Sequence, residues 1–202
     1  MLLLRSSLLE RELDGDLGEH AKTMYDWSSD MGEFIERIGA VLEVLGDGDT
    51  IPLESVALGP VIGRLKDRFA ETYPDVTFTF ESESDAAVLA DEMLVDVLGN
   101  LVHNAVTHND AERPTIDVAT ESDGETVEIR IRDNGPGVPD RIKNAVFDQG
   151  QSGLHTDGVN HGFGLYFVRA KLTHYGGAVT VSDNEPRGAV FELTLADASN
   201  GR

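Results

Sequence analysis

Two asparagines one helical turn apart are the first residues whose type and spacing suggest chemistry. Apolar periodicity predicts a helix over residues 91–107, and Asn100 and Asn104 project from one face of it. Asparagine is a poor helix former, so two at this spacing call for an explanation. An amide oxygen is a neutral, hard ligand that suits Mg²⁺, which proteins hold through one or two oxygens together with nucleotide phosphates. Standing alone, the pair is more typical of solvent-facing or capping amides.

An aspartate followed by two glycines comes directly after a predicted strand. Alternating apolar residues from 127 to 131 predict the strand, and Asp133, Gly135 and Gly137 follow in the sequence DNGPG. A carboxylate at a strand end can accept a hydrogen bond from an exocyclic amine, and a site built on that bond discriminates against analogues lacking the amine. The glycines permit a close backbone approach or positive φ. In isolation, the segment is typical of a turn.

A third segment, NHGFGL at residues 160–165, opens a predicted helix over residues 164–175. Unpaired backbone amides and the positive end of the helix dipole make such a glycine-rich helix entry, here with Gly162 and Gly164, a candidate phosphate site. The segment follows a long loop and not a strand, so it is not a Rossmann fingerprint, and the sequence contains no GxxxxGK[ST] loop. A glycine pair before a helix is by itself a weak indication.

A mixed α/β domain over residues 50–197 must position these segments. The patterns predict helices at 59–72, 91–107, 140–147 and 164–175, and strands at 76–80, 116–118, 127–131, 178–182 and 189–195. The sequence Ser122-Asp123-Gly124 predicts a hairpin. Because helices and strands are interspersed without strict alternation, we expect an α/β sandwich in which a mixed sheet carries helices on one face. The glycine-rich region from 150 to 164 is long enough to predict a functional loop.

Residues 1–49 are predicted to form a helical segment of their own. A leucine-rich stretch over residues 1–13 ends at Asp14-Gly15, and a heptad pattern follows, formed by Met24, Trp27, Met31, Phe34, Ile38, Val41 and Leu45. This heptad seam favours a partner helix, either in the same chain or in a second copy. Three heptads are the lower limit for a coiled coil, so packing of the helix on its own domain stays open.

The overall composition bounds the partners and the compartment. The chain has 202 residues, 16 basic and 37 acidic, with a net charge of −21 and no cysteine. An acidic surface repels nucleic acids and anionic lipids, so we expect neither as a partner. No apolar run near the N-terminus approaches the roughly 20 residues that a bilayer helix needs. Without cysteine there are no disulfides or cysteine-zinc sites, which fits a reducing compartment, and we expect a cytoplasmic chain.

The make-up of this charge favours adaptation to high salt. Only four of the 16 basic residues are lysine, and 20 of the 37 acidic residues are aspartate. In molar salt the Debye length falls to about 3 Å, which screens the self-repulsion of such a chain. The alternative is an ordinary acidic protein from low salt.

Taken in order, the three segments resemble the Bergerat-type ATP-binding domain of sensor histidine kinases, gyrase-type topoisomerases, a heat-shock chaperone family and mismatch-repair ATPases. The resemblance is strongest to histidine kinases and covers residues 53–196. The similar motifs are the N box at 100–105, the G1 box at Asp133, Gly135 and Gly137, the F box at Phe147, the G2 box at Gly162, Gly164 and Leu165, and a closing glycine-strand motif at 188–191.

This resemblance implies a site for ATP and Mg²⁺. It places Asp133 at the adenine amine, Asn104 on Mg²⁺, Gly162 and Gly164 beside the phosphates, and residues 148–161 in a lid over the nucleotide. The remaining residues of the implied ATP site are Asn100, His108, Gly135, Gly137, Phe147 and Leu165.

Several positions depart from the family pattern. Asn160 stands where a glycine is frequent and Thr107 where a lysine is frequent, so phosphate contacts are expected to be weaker or to come from Lys143, His155 or His161. Asn100 stands where hydrolysing relatives carry a glutamate. An amide cannot serve as that base, which favours phosphoryl transfer, or binding alone, over rapid hydrolysis.

The phosphate-accepting histidine of this family lies on the first helix of a hairpin that precedes the ATP domain. Residues 16–45 resemble the second helix of that hairpin, and residues 1–13 contain no histidine. His20 is the N-terminal candidate, but it lacks the neighbours of the family's H box. The implied partners are a histidine-bearing dimerisation helix or second kinase chain and a response regulator, and a homodimer is possible.

We therefore expect the ATP-binding catalytic part of a sensor histidine kinase, which transfers the γ-phosphoryl group of Mg-ATP to a histidine. One alternative is a degenerate module that binds nucleotide and regulates a partner without phosphotransfer. Another is a switch-type kinase that acts on serine. All three predict ATP binding and differ in the product.

Overall fold

The computed structural model describes residues 52–81, 86–148 and 163–199, apart from the side chain of Phe163. In these residues the strands are β1 (Glu54–Ala57), β2 (Thr77–Glu81), β3 (Ala87–Ala90), β4 (Thr115–Ser122), β5 (Thr126–Asp133), β6 (Ala178–Asp183) and β7 (Ala189–Ala196). The helices are α1 (Leu58–Thr72), α2 (Leu94–Thr107), α3 (Asp140–Lys143) and α4 (Phe163–His174). The predicted N-terminal helix, its heptad seam and nearly all of the predicted lid lie outside the described residues.

The main sheet has five strands in the order β2-β4-β5-β7-β6. Strand β2 is parallel to β4, whereas β4-β5, β5-β7 and β6-β7 are antiparallel, so the sheet is mixed as predicted. A separate antiparallel pair joins β1 to β3. Strand β5 is the centre of the large sheet, and its last residue, Asp133, therefore lies at the middle of one sheet edge.

The core occupies one face of the large sheet. Residues of β4, β5 and β7 alternate strictly between buried and exposed or half-buried positions, which is the period of two expected for a sheet covered on one side. The buried face meets the apolar residues of α1, α2 and α4 in one continuous cluster. The predicted layer of helices on one face of a mixed sheet is confirmed.

The hairpin between β4 and β5 is confirmed, and local chemistry explains it. The Asp123 carboxylate accepts hydrogen bonds from the backbone amides of Glu125 and Thr126, at 2.9 and 2.7 Å. Gly124 has a φ of 87°, which a residue with a side chain rarely adopts. These bonds hold the pKa of Asp123 below its ordinary value.

Three predictions about elements need correction. Helix α2 begins at Leu94 and not near residue 91, because the Asp91 carboxylate turns back to accept the Met93 amide at 2.9 Å. Helix α3 ends at Lys143, and turns continue to residue 148. Strands β1 and β3 were not predicted, since each has four residues and neither shows the alternation that identifies a half-buried strand.

In the part of the chain that the structure describes, no helix has both the length and the apolar character needed to cross a membrane.

Candidate functional site

The Asp133 side chain lies at the end of β5, the central strand of the large sheet. It is 7 % exposed, and its Oδ1 atom accepts the backbone amides of Gly135 at 2.8 Å and Ala189 at 3.3 Å. The residues that the structure describes form no hydrogen bond to the second oxygen, Oδ2. One oxygen of this carboxylate thus orients the group, while the other is available to a donor from outside the protein.

Close backbone packing supports the Asp133 turn from the β6-β7 hairpin. A Cβ atom at Gly188 would lie 1.8 Å from the Asp133 carbonyl oxygen, and Gly188 has a φ of 123°. Only glycine fits there. Gly137, with a φ of 75°, faces the Gly188 carbonyl in turn, and a Cβ at Gly135 would be 3.2 Å from the Asn109 Cα. The predicted glycines therefore bring three backbone segments together around Asp133.

Three asparagine side chains that sequence reasoning missed complete this support. Asn184 Nδ2 donates to the Asp133 carbonyl at 2.8 Å. Asn109 Nδ2 donates to Asn134 Oδ1 at 3.1 Å, and the same oxygen accepts the Thr115 amide at 2.9 Å. These bonds tie the turn after β5 to the segment after α2 and to the β6-β7 hairpin. For Asn134 and Asn184, the nearby turn glycines Gly135 and Gly188 were the available signal.

Burial raises the pKa of Asp133 above its ordinary value, and the hydrogen bonds from Gly135 and Ala189 offset only part of that rise. Removing a carboxylate from water penalises its charged form. A ligand that donates a hydrogen bond to this carboxylate favours the ionised form. Ligand binding and proton release are therefore coupled at Asp133.

Asn100 joins α2 to the start of α4. It is 7 % exposed, and its Nδ2 atom donates to the Asp96 carbonyl one turn earlier at 2.7 Å. Its Oδ1 atom faces Gly164, where an added Cβ would lie only 2.9 Å away. The structure thus brings together two predicted site residues that are far apart in the sequence, and it explains the glycine at position 164.

Asn104 lies one turn further along the same face of α2. Its side chain is half-buried and forms no hydrogen bond to any described residue, while its carbonyl accepts the His108 amide at 3.1 Å. His108 is exposed at the C-terminal cap of α2. Among the described residues, the Asn104 amide oxygen accepts no hydrogen bond, so it could serve as a cation ligand.

The donor set around α2 suits Mg²⁺ better than a metal that needs several protein ligands. The described residues contain no cluster of three or more histidine or acidic side chains that could hold a metal ion. Mg²⁺ needs only one or two protein oxygens when phosphates and water complete its shell. The neutral amide of Asn104 fits that requirement.

The remaining predicted site residues fall into three groups. The Phe147 ring is buried in the core, where it meets Phe191 edge-to-face at 6.3 Å, and Leu165 is half-buried against the same core. The Lys143 ammonium lies 2.6 Å from both Asp140 and Asp183, and these bonds raise its pKa, so the amine is occupied by carboxylates and not free for phosphate. His20, His155, His161 and Gly162 lie outside the described residues.

Helix α2 links the two halves of the site. Its C-terminal continuation, Asn109, contacts the turn that holds Asp133, and Asn100 contacts the start of α4. The nine residue steps from Asn100 to Asn109 would correspond to about 14 Å along a helix. A carboxylate with one oxygen unbonded by the described residues lies at one end, and an amide face beside a helix start lies at the other. This arrangement would suit an elongated ligand with a hydrogen-bond donor at one end and an anionic group at the other.

Comparison with known proteins agrees with this geometry. The family model described as "Histidine kinase-, DNA gyrase B-, and HSP90-like ATPase" matches residues 90–199. Two similar curated relatives are the sensor histidine kinase DpiB of Escherichia coli (strain K12), 32 % identical over 102 residues, and the sensor histidine kinase component HK1 of Mycobacterium tuberculosis (strain ATCC 25618 / H37Rv), 31 % identical over 137 residues.

The alignments cover different shares of these relatives. The DpiB match spans 49 % of this chain and 18 % of DpiB, whereas the HK1 match spans 67 % of this chain and 79 % of HK1. The chain therefore spans about a fifth of the length of the first curated relatives that it matches.

Solved structures show the same relationship. The catalytic domain of the histidine kinase ThkA is 26 % identical, with a TM-score of 0.64 over 72 % of this chain and 98 % of that domain. A second ThkA structure, in complex with the response regulator protein TrrA, shares the fold with a TM-score of 0.68 at 21 % identity, over 100 % of this chain and 58 % of that chain. By its sequence and its fold, the chain belongs to the histidine kinase-, DNA gyrase B- and HSP90-like ATPase family, and its similar relatives are sensor histidine kinases.

Proposed function

We propose that the chain is the ATP-binding catalytic part of a two-component sensor kinase, and that it transfers the γ-phosphoryl group of Mg-ATP to a histidine. The observation that carries this proposal is the Asp133 carboxylate, which is oriented through Oδ1 by two backbone amides and leaves Oδ2 to a ligand. Family membership and the sensor histidine kinase relatives support the same reaction.

In this proposal Asp133 recognises the adenine. Its ionised carboxylate accepts a hydrogen bond from the exocyclic amine of the base, and the glycines at 135, 137 and 188 let the backbone approach closely. A base with an oxygen at that position presents an acceptor to the carboxylate and is rejected, because two acceptors leave a buried polar group unpaired.

The phosphate end of the nucleotide lies along α2 and the start of α4. Asn104 would hold Mg²⁺ through its amide oxygen. The other proposed residues at this end of the site are Asn100, His108, Gly162, Gly164 and Leu165. When bound, Mg²⁺ neutralises charge on the phosphate oxygens. The backbone amides at the start of α4 add the positive end of a helix dipole. Phe147, in the core, supports the site by packing.

Phosphoryl transfer to a histidine does not require Asn100 to give or take a proton. An imidazole nitrogen of the acceptor attacks the γ-phosphorus, the bond from that phosphorus to the β,γ-bridging oxygen breaks, ADP leaves, and the imidazole loses its proton to solvent. A side-chain amide cannot take a proton from an attacking water, so Asn100 does not promote hydrolysis. Catalysis by this chain is then mainly positioning and charge neutralisation.

The proposed partners follow from the reaction. The acceptor histidine lies on a dimerisation helix or on a second kinase chain, and the phosphohistidine passes its phosphoryl group to a response regulator, the kind of protein that ThkA binds in its complex with TrrA. We also propose that two copies pair through the heptad seam from Met24 to Leu45. We place the reaction in the cytoplasm, since a chain without cysteine fits a reducing compartment.

The test is incubation with ATP labelled at the γ-phosphate and Mg²⁺, alone and with a histidine-bearing hairpin from a related kinase. We expect a label on the hairpin that acid removes and base does not, as for a phosphohistidine. Asp133→Ala should abolish both labelling and ATP binding. Asp117→Asn, on the exposed face of β4, is the matched control and should label normally.

Each other outcome refutes the proposed transfer to histidine. Acid-stable label would indicate phosphoserine and the switch-type kinase. ATP binding without label on either protein would indicate the regulatory module. Absence of ATP binding by the folded chain would refute the nucleotide site itself.

A further inference from the structure

A buried cluster of three ionisable side chains lies in the core away from the described site. The Lys171 ammonium contacts Asp91 Oδ2 at 2.8 Å, and the Tyr175 hydroxyl donates to Asp91 Oδ1 at 2.5 Å. The exposed fractions are 1 % for Lys171 and 5 % for both Asp91 and Tyr175. We call these three residues the buried triad.

The triad is a fully satisfied network. Burial alone would raise the pKa of Asp91, but the hydrogen bonds from Lys171, Tyr175 and the Met93 amide outweigh burial and hold that pKa below its ordinary value. Burial and the neighbouring carboxylate raise the pKa of Tyr175, so the phenol stays protonated and donates. Asp91 is therefore an anion with three donors around it.

A buried ion pair such as Lys171–Asp91 contributes little to the net free energy of folding. Desolvation of both charges offsets most of their attraction, and apolar residues of similar volume often replace a buried ion pair without loss of stability. What an ion pair adds, and apolar contacts do not, is direction. The triad accordingly points to a role in setting geometry.

The triad and the phosphate end of the site share one pair of helices. Lys171 and Gly164 are two helical turns apart on the same face of α4, about 10 Å along its axis. On the other side, Asp91 lies three residues before the first residue of α2, Leu94, and Asn100 lies within α2. Lys171 is bonded to Asp91 while Gly164 closely approaches Asn100, so α4 runs antiparallel to α2.

Between these points, α4 is held by apolar packing. Phe167 and Val168 are fully buried, but apolar contacts are non-directional and leave small shifts along the helix axis inexpensive. A shift of α4 would move its start relative to Asn100 and Asn104. The Lys171–Asp91 bond opposes that shift, because it has a fixed length and direction and lies in a dry environment.

We propose that Asp91, Lys171 and Tyr175 are positioning residues that fix the axial register of α4 on α2, so that the phosphates of a nucleotide, but not its base, depend on them. This inference rests on the proposed nucleotide site. In the proposed site the base is held from β5 and the β6-β7 hairpin, whereas the hydrogen bonds within the triad and from Met93 run between α4 and the segment before α2. If the triad is lost, α4 is no longer fixed in register on α2. Binding of the triphosphate is then weakened, whereas binding of the nucleoside is not.

The test compares the affinities of the full chain for Mg-ATP and for adenosine by calorimetric titration. In the double variant Lys171→Met with Asp91→Asn, the ion pair is gone while an Oδ1 acceptor remains for Tyr175 and Met93. We expect the affinity for Mg-ATP to fall about tenfold, as for small misplacements at other sites, with the affinity for adenosine unchanged. Tyr175→Phe removes a single hydroxyl. It should lower the ratio of the Mg-ATP affinity to the adenosine affinity by about threefold.

Phe69→Leu is the matched control for lost core packing. Its ring packs on Tyr73 and Phe78 at the edge of the sheet, away from the triad, so the ratio should stay that of the unmodified chain. An unchanged ratio of ATP to adenosine affinity in the folded double variant would overturn the inference, and Tyr175→Phe decides alone if the double variant does not fold. An unmodified chain that binds neither ligand would refute the proposed function instead.

Discussion

At the scale of single residues, the site depends on side chains that are partly satisfied by the protein. Asp133 has one oxygen bonded to two backbone amides and one that no described residue bonds. The Asn104 amide likewise has no hydrogen-bond partner among the described residues, whereas Nδ2 of Asn100 donates to the Asp96 carbonyl. A fully satisfied group would have nothing left for a ligand, and a wholly unsatisfied one would not hold its orientation.

Asp133 predicts a pH dependence of nucleotide binding. Its pKa is raised in the free protein, and a base amine binds only the ionised carboxylate, so protonation competes with the ligand. Affinity for ATP should be constant well above that raised pKa and should fall as the pH drops through it, with proton release on binding near the pKa. Calorimetric titration from pH 8 down to the lowest pH at which the chain stays folded by circular dichroism, in buffers with different ionisation enthalpies, measures both effects.

The control for this prediction is Asp117→Asn, which leaves Asp133 in place and should keep the same profile. A pH profile of the unmodified chain that is flat over this range, with no proton release, would show that Asp133 does not carry the base.

The proposed role of Asn104 as a Mg²⁺ ligand predicts that this residue contributes to ATP affinity only when Mg²⁺ is present. Asn104→Ala should lower the affinity for Mg-ATP by about tenfold, the loss expected for a hydrogen-bond or ligand contact to a charged group, and leave the affinity for ATP in excess chelator unchanged. Asp117→Asn, on the exposed face of β4, is again the control and should leave both affinities unchanged. If Asn104→Ala left the Mg²⁺-dependent part of the affinity intact, the assignment of this residue to the metal would be wrong.

At the scale of elements, the site is made where α2 meets its neighbours. The C-terminal end of α2 contacts the turn after β5 through Asn109, and its middle contacts the start of α4 through Asn100. Helix α4 contributes Gly164, and the β6-β7 hairpin contributes Gly188 and Asn184. The close approaches at both glycines mean that small displacements of these elements change the site.

Gly164→Ala tests the contact between α2 and α4. The new Cβ would lie 2.9 Å from Asn100 Oδ1, so the helices must separate or the amide must move. We expect affinity for Mg-ATP to fall at least tenfold, as for other displacements at binding sites, with little change in helix content by circular dichroism.

Gly63→Ala is the matched control, because Gly63 lies within α1 and a Cβ there meets nothing within 4 Å. It should bind ATP normally and gain up to about 1 kcal/mol in stability from the better helix former. Normal ATP binding by Gly164→Ala would show that the spacing of the two helices does not control the phosphate end.

At the scale of the whole molecule, charge is the dominant feature. A chain with a net charge of −21 must bind a polyanionic nucleotide. Helix termini and a bound cation act locally, whereas repulsion from the surface acts over longer distances and is screened by salt. The two contributions therefore have different dependences on ionic strength.

We predict that affinity for Mg-ATP rises between 0.1 and 2 M KCl, because the Debye length falls from about 10 Å to below 3 Å over this range. Adenosine carries no charge, so its affinity is the control and should change little while the chain stays folded by circular dichroism. Affinity for ATP that is flat or falls as salt increases would contradict adaptation to high salt.

The order of the motifs and the alternation along the strands were sufficient to predict the mixed sheet, its layer of helices and the family resemblance. Periodicity reports which side of an element is apolar, and the turn residues report where elements end. The short strands β1 and β3 were not predicted, because an alternating pattern cannot be recognised over four residues. Asp91 was misplaced in a helix because its carboxylate, and not its propensity, decides where α2 begins.

The sequence by itself determined the elements and the residue types available for chemistry, since these depend on neighbours along the chain. Only the tertiary structure decided that Gly164 meets Asn100, that Gly188 meets the Asp133 carbonyl, and that Lys171, predicted merely as part of a helix, forms an ion pair with Asp91 80 residues away. These contacts depend on how elements distant in sequence pack together, and a one-dimensional pattern records the face that an element buries but not the residue it meets there.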